Sequence, residues 1–183
     1  LLGIAVFVPV ALRYARQLKI ADWKILLPVV ISPAAAFCLV SGQSSFLTTA
    51  LLLGAFLCLD RRPALAGILI GLLTLKPQLG LLFPVMLIAS ARWRVFWIAA
   101  VTSLGIAGVT AAIFGPQVWV EFVTKGLPVQ NWVLSDTNLV ATPFYPTVFM
   151  NIRGVDAPYA VAMAGQAVVS ALALGAVAWA FHW

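Results

Sequence analysis

The chain has 183 residues, 63% of them hydrophobic and only 9% charged, with a formal net charge of +6. Soluble domains carry about 25% charged residues, so the composition excludes a soluble globular protein and points to a polytopic membrane protein. The positive balance does not imply nucleic acid, because the basic residues sit in short connections between apolar runs and form no continuous patch.

The apolar segments, in chain order, are residues 1–12, 25–41, 46–59, 64–75, 79–91, 95–114 and 158–181. The first opens at Leu1-Leu2-Gly3-Ile4 with no initiator Met and no charged leader, so it does not read as a signal peptide. The chain is expected to be an internal piece of a longer protein. Residues 13–24 carry Arg13, Arg16, Lys19 and Lys24. Gly42-Gln43-Ser44-Ser45 separates the second and third segments, and Ser44 and Ser45 are N-cap candidates for the helix that follows. Arg61-Arg62 leads into segment 64–75, which as a helix is only about 18 Å long against a hydrocarbon core of about 30 Å.

Lys76-Pro77-Gln78 then interrupts an otherwise uncharged stretch. A charge at membrane depth costs at least about 2.5–3.5 kcal/mol, and a proline there removes a helical hydrogen bond. Two short helices meeting at a polar turn satisfy both constraints, provided protein or a wet cavity covers the turn. A snorkelling surface lysine is the plainer alternative. Beyond Arg92 and Arg94 comes a full-length span, 95–114, and then a long connection, 115–157. Within it Val118, Trp119, Phe122 and Val123 have the spacing of a short interfacial helix ended by Gly126 and Pro128. Pro143, Pro146 and Pro158 suggest irregular chain up to the last span.

Lys and Arg alternate strictly along these connections, eight on one side of the membrane and three (Lys76, Lys125 and Arg153) on the other. The positive-inside rule places the first set in the cytoplasm. Gln43, Lys76 and the long connection then share the outer face, where a fixed cation suits a lipid phosphate. Gln78 could orient Lys76 or bind phosphate or sugar. Asp136 and Glu121 are outer carboxylates, solvated acids or general bases. Arg153 could grip a phosphate bidentately or anchor the chain at the interface. Cys38 and Cys58 lie in different spans near opposite faces, which argues against a disulfide. His182 receives no role. Zinc spacing, phosphate loops, dinucleotide fingerprints and nucleophilic serine motifs are absent.

The blocks Gly42-Gln43-Ser44-Ser45-Phe46, Arg61-Arg62-Pro63-Ala64-Leu65-Ala66-Gly67, Lys76-Pro77-Gln78 and Arg92-Trp93-Arg94, in this order and spacing, resemble glycosyltransferase family 87. Pro146-Thr147-Val148-Phe149, Arg153-Gly154 and Gln166 are similar to its later outer region. The resemblance implies an all-α, polytopic transmembrane protein of the C-type glycosyltransferase fold, with short or broken helices and one long outer loop. It implies a hexosyltransferase, mannosyltransferase-like, that uses a polyprenyl-phosphate-linked sugar and a lipid or glycan acceptor. The site would face the periplasm from a bacterial inner membrane; the chemistry needs no nucleotide or redox cofactor, and no metal-ligand cluster argues for a metal. It carries over Gln43, Lys76 and Gln78 as binders of donor phosphate or sugar, with Arg153 and Asp136 as possible additions. The family's catalytic aspartate lies in the first outer loop, which would precede Leu1, so no acid of this chain is assigned as base and the piece alone is expected to be inactive. A transporter or flippase of a lipid-linked substrate would also want broken helices and an outward cation. It should show internal pseudo-symmetry, which the sequence lacks.

Overall fold

The computed structural model describes residues 2–129, 132 and 147–182, with the side chain of Pro77 excepted. Among these residues every regular element is a helix and none is a strand, the all-α membrane architecture that the family resemblance implies. The chain divides into two compact units, Leu1–Ile106 and Ala107–Trp183, and each is described by itself.

The first unit is built on α1 (Leu2–Gln17), α4 (Ser45–Cys58) and α5 (Pro63–Leu72), with α4 packed between the other two. Phe7 of α1 meets Phe46 of α4 edge to face at 5.5 Å, and Phe7, Ala11 and Ala50 form a buried cluster. Alanines dominate the contact: Ala11, Ala15, Ala50, Ala55 and Ala66 are all buried. Lipid gives helices no hydrophobic reason to associate, so close approach of small residues has to hold them. The same logic governs α5 and α8 (Trp93–Phe114). A Cβ on Gly67 would stand 2.7 Å from Ile98 Cβ, and one on Gly71 would stand 2.8 Å from Ala99 O. Ser103 Oγ adds a 3.3 Å hydrogen bond donated to Gly71 O.

The span expected to run unbroken over 25–41 is two helices, α2 (Asp22–Ile31) and α3 (Pro33–Val40), bent by 62°. Pro33 explains the bend: it has no N–H to donate and holds Ser32 extended, at ψ 122°. Ser32 Oγ then caps α3 by accepting from Ala35 N at 3.4 Å. The first helix runs past residue 12 through Arg13 and Arg16, so those arginines stand on its last turns. After α5 a 3-10 turn (Leu73–Leu75) leads to Lys76, and the stretch after it also breaks in two, α6 (Pro77–Gly80) and α7 (Phe83–Ala89).

The α7–α8 turn returns the chain to the end of α4. Arg92 Nη1 donates to Leu59 O at 3.3 Å and pairs with Asp60 at 2.7 Å. Arg92 is aimed there by a Schellman-type ending in which Arg92 N donates to Leu87 O and Ala91 N to Ile88 O. That ending puts Ala91 at φ 52°, where a Cβ is strained. Ala91→Gly should therefore stabilise the full-length protein, by about 1 kcal/mol. The check is a melting curve in detergent, and a lower Tm than wild type would contradict this account of the turn.

In the second unit α8 ends, and α9 (Gln117–Glu121) follows, with Trp119 Nε1 donating to Ala107 O at 3.2 Å. The expected short helix is present, but it does not stop at Gly126. A π-helical turn, Phe122–Gly126, carries the winding on, with Leu127 N donating to Phe122 O. Pro128 brings no N–H to a helical ladder, and the widened turn before it tolerates that loss. Residues 148–153, expected to be irregular, form α10 (Val148–Arg153), packed against α11 (Tyr159–Phe181). Among the described helices α8 and α11, with 22 and 23 residues, are long and apolar enough to cross a membrane alone, and α2 with α3 makes a broken third.

Candidate functional site

The polar turns of the first unit gather at one end of α4. Helix α3 closes with Gln43 N donating to Cys38 O and Gly42 N to Leu39 O. This Schellman ending needs a left-handed residue, which Gly42 supplies at φ 63°. The chain then reverses into α4 and presents Gln43 and Ser45 side by side. Ser44 stands at the N-cap position but its side chain caps nothing. Ser45 Oγ instead donates to Gln43 Oε1 at 3.3 Å, and Thr49 Oγ1 donates to Ser45 O at 2.8 Å.

Lys76 arrives at the same place from α5. It is held extended, at φ −136° and ψ 79°, because Pro77 opens the next helix and disfavours helical geometry at the residue before it. Lys76 N donates to Leu73 O at 2.8 Å, closing the 3-10 turn. Its Nζ donates to Ser45 Oγ at 3.2 Å. Lys76, Ser45 and Gln43 thus form one hydrogen-bonded chain joining turns that are 31 residues apart. Among the described residues no carboxylate lies within 4.0 Å of Lys76, which is half-buried. An ammonium has three donors, and one is committed to Ser45, so two remain for an incoming acceptor.

An apolar cavity of about 310 Å³ opens against this chain, bounded by Phe7, Ser32, Cys38, Ser45, Phe46 and Thr49. Gln43 borders a second, of about 250 Å³. Gln78 lies on α6, exposed, outside the hydrogen-bonded chain. Arg153 belongs to the second unit, where its Nη1 donates to Ala157 O at 2.9 Å and braces the turn into α11. Asp136 falls outside the described residues. Glu121 pairs with Lys125 at 2.8 Å. The first unit's acids, Asp22 and Asp60, bond arginines at the other end of α4. Among the described residues no three His, Cys, Asp or Glu side chains gather as a metal site.

Ser45 is the member that sequence reasoning assigned only to capping. Its signal was its place two residues after Gln43, within reach of that amide. In the second unit Gln166 Oε1 accepts from Phe149 N at 3.1 Å, and Thr147 Oγ1 from Met150 N at 3.1 Å. Together they satisfy the first turn of α10, which gives Gln166 a structural task.

Among the described residues, fold and site define a helical integral membrane protein with a cation, Lys76, held at a broken-helix turn. The model of glycosyltransferase family 87 matches residues 1–183, the whole chain, and the protein belongs to that family: it is a membrane glycosyltransferase. No curated protein and no solved structure matches it.

Proposed function

We propose that the protein transfers a hexose, mannose being the first candidate, from a polyprenyl-phosphate-linked donor to a lipid or glycan acceptor at the outer face of a bacterial inner membrane. The observation that carries this reading is the Lys76–Ser45–Gln43 chain, an uncompensated ammonium with two free donors beside an apolar cavity. The donor phosphate accepts from Lys76, and Gln43 and Gln78 offer amides to phosphate or sugar. The first isoprene units of the donor lie in the cavity lined by Phe7 and Phe46.

In the reaction a carboxylate removes the acceptor hydroxyl proton, and the oxygen bonds to the anomeric carbon. The bond from that carbon to the phosphate oxygen breaks, and its electron pair leaves with the lipid phosphate. Charge builds on the departing phosphate, so a preorganised cation stabilises the transition state more than the ground state. The resemblance implies that the base is an aspartate of the family's first outer loop; Asp22 and Asp60 bond arginines at the far end. Helices α4 and α5 with its 3-10 turn each span about 21 Å of a core about 30 Å thick. With their arginine-bearing end at one interface, Lys76 sits recessed below the other.

Two measurements test the reading. Full-length protein in membranes should transfer labelled hexose from a polyprenyl-phosphate donor and not from a nucleotide sugar; transfer from the nucleotide sugar alone would overturn it. A cysteine replacing Ser44 should react with an impermeant thiol reagent from outside and one replacing Arg61 should not, with Cys38 and Cys58 removed. The reverse pattern would invert the orientation and remove the site from the outer face.

A further inference from the structure

At the opposite end of α4 from Lys76, the last turns of α1 meet the α4–α5 turn around a cavity of about 770 Å³. Arg13, Arg16, Arg61 and Arg62 line it, and Leu57 and Leu65 form part of its apolar wall. The acids nearby are already engaged: Asp22 pairs with Arg16 at 3.4 Å and Asp60 with Arg92 at 2.7 Å. Among the described residues no carboxylate lies within 4.0 Å of Arg13, Arg61 or Arg62. Three like charges are thus held around one space. An anion seated among them would offset their mutual repulsion.

We propose that this cavity binds an anionic phospholipid, its phosphate between Arg13, Arg61 and Arg62 and the start of its acyl chains against Leu57 and Leu65. Guanidinium groups suit this occupant because they grip phosphate oxygens in pairs. The mixed wall decides between a lipid and a free anion: a small phosphate would leave the leucine side empty, whereas a glycerophospholipid fills both. Basic pockets between membrane helices bind lipid headgroups in this way. The site is independent of donor binding, being at the other end of α1 and α4 from Ser45 and Gln43.

The test is native mass spectrometry of the full-length protein released from micelles holding equal phosphatidylglycerol and phosphatidylcholine. Wild type should retain one phosphatidylglycerol in preference. Arg61→Gln with Arg62→Gln should weaken that preference by about fivefold for each arginine removed. Lys19→Gln with Lys24→Gln removes the same charge from the same face outside the cavity and should leave the preference intact. Equal retention of the two lipids by wild type would overturn the proposal without any variant. Equal losses in both double variants would reduce it to diffuse surface charge. Displacement of the retained lipid by millimolar inorganic phosphate would make the occupant a free anion and overturn the lipid assignment.

Discussion

Replacing Lys76 by methionine in the full-length protein is expected to lower glycosyl transfer by roughly a hundred- to thousand-fold while leaving protein levels normal. The variant keeps the apolar stem and deletes the charge, so in the proposed mechanism it removes the contact that strengthens as the phosphate departs. Such contacts are worth about 2.7–4 kcal/mol of barrier. Lys76→Arg should retain part of the activity, because charge persists while the guanidinium is larger and flatter than the ammonium Ser45 now holds. Ser45→Ala separates positioning from charge: it frees Nζ from its 3.2 Å partner but keeps the cation, so it should cost far less than Lys76→Met. The measurement is turnover with saturating lipid-linked donor. Near wild-type rates for both Met and Arg would make Lys76 an ordinary turn lysine and move the donor site elsewhere.

The largest effect on folding is expected at Gly71. Its hydrogen faces the backbone of α8, with Ala99 O only 2.8 Å from where a Cβ would be, and its carbonyl accepts from Ser103. Leucine there cannot be housed by a rotamer change, since the obstacle is main chain. Gly71→Leu should cost at least about 3 kcal/mol, the upper end of overpacking penalties, and drive the α5 and α8 backbones apart. Size-exclusion profiles and melting curves in detergent should show aggregated or early-melting protein. Gly105 on the same α8 has open space around its would-be Cβ, so Gly105→Ala serves as the control and should be neutral or slightly stabilising. Equal melting of Gly71→Leu and wild type would mean that α5 and α8 do not meet through this face.

The sequence exposed the features that carry charge or delete a backbone donor. Lys76-Pro77 announces a broken span because both residues are expensive inside a continuous apolar helix, and the break lies there. Arginine alternation marks the two ends of α1 and α4, which the structure resolves into the Gln43–Lys76 end and the Arg13–Arg62 end. Pro33 carried the same kind of signal, yet with no charge beside it the bend at Ser32 reads as ordinary apolar chain. Ser45 was legible only as a cap, because its hydroxyl chooses between a local amide and a partner 31 residues away, and tertiary packing makes that choice. Helix α10 was hidden for the same reason. Its first turn is satisfied by Gln166 from the next helix, while the prolines around it argue locally for irregular chain.

The shortness of α4 and α5 reaches beyond the protein to the bilayer around it. Two neighbouring helices of about 21 Å leave roughly 9 Å of acyl chain unmatched on one side, and each ångström of mismatch costs a fraction of a kcal/mol. Lipid beside this unit would lower that cost by thinning. The isoprenoid donor proposed above is branched and bulky, and a thinned patch would suit it better than the flat bilayer. The short helices would then act as a lure, concentrating the proposed lipid donor at the thinned patch before any polar group touches its phosphate.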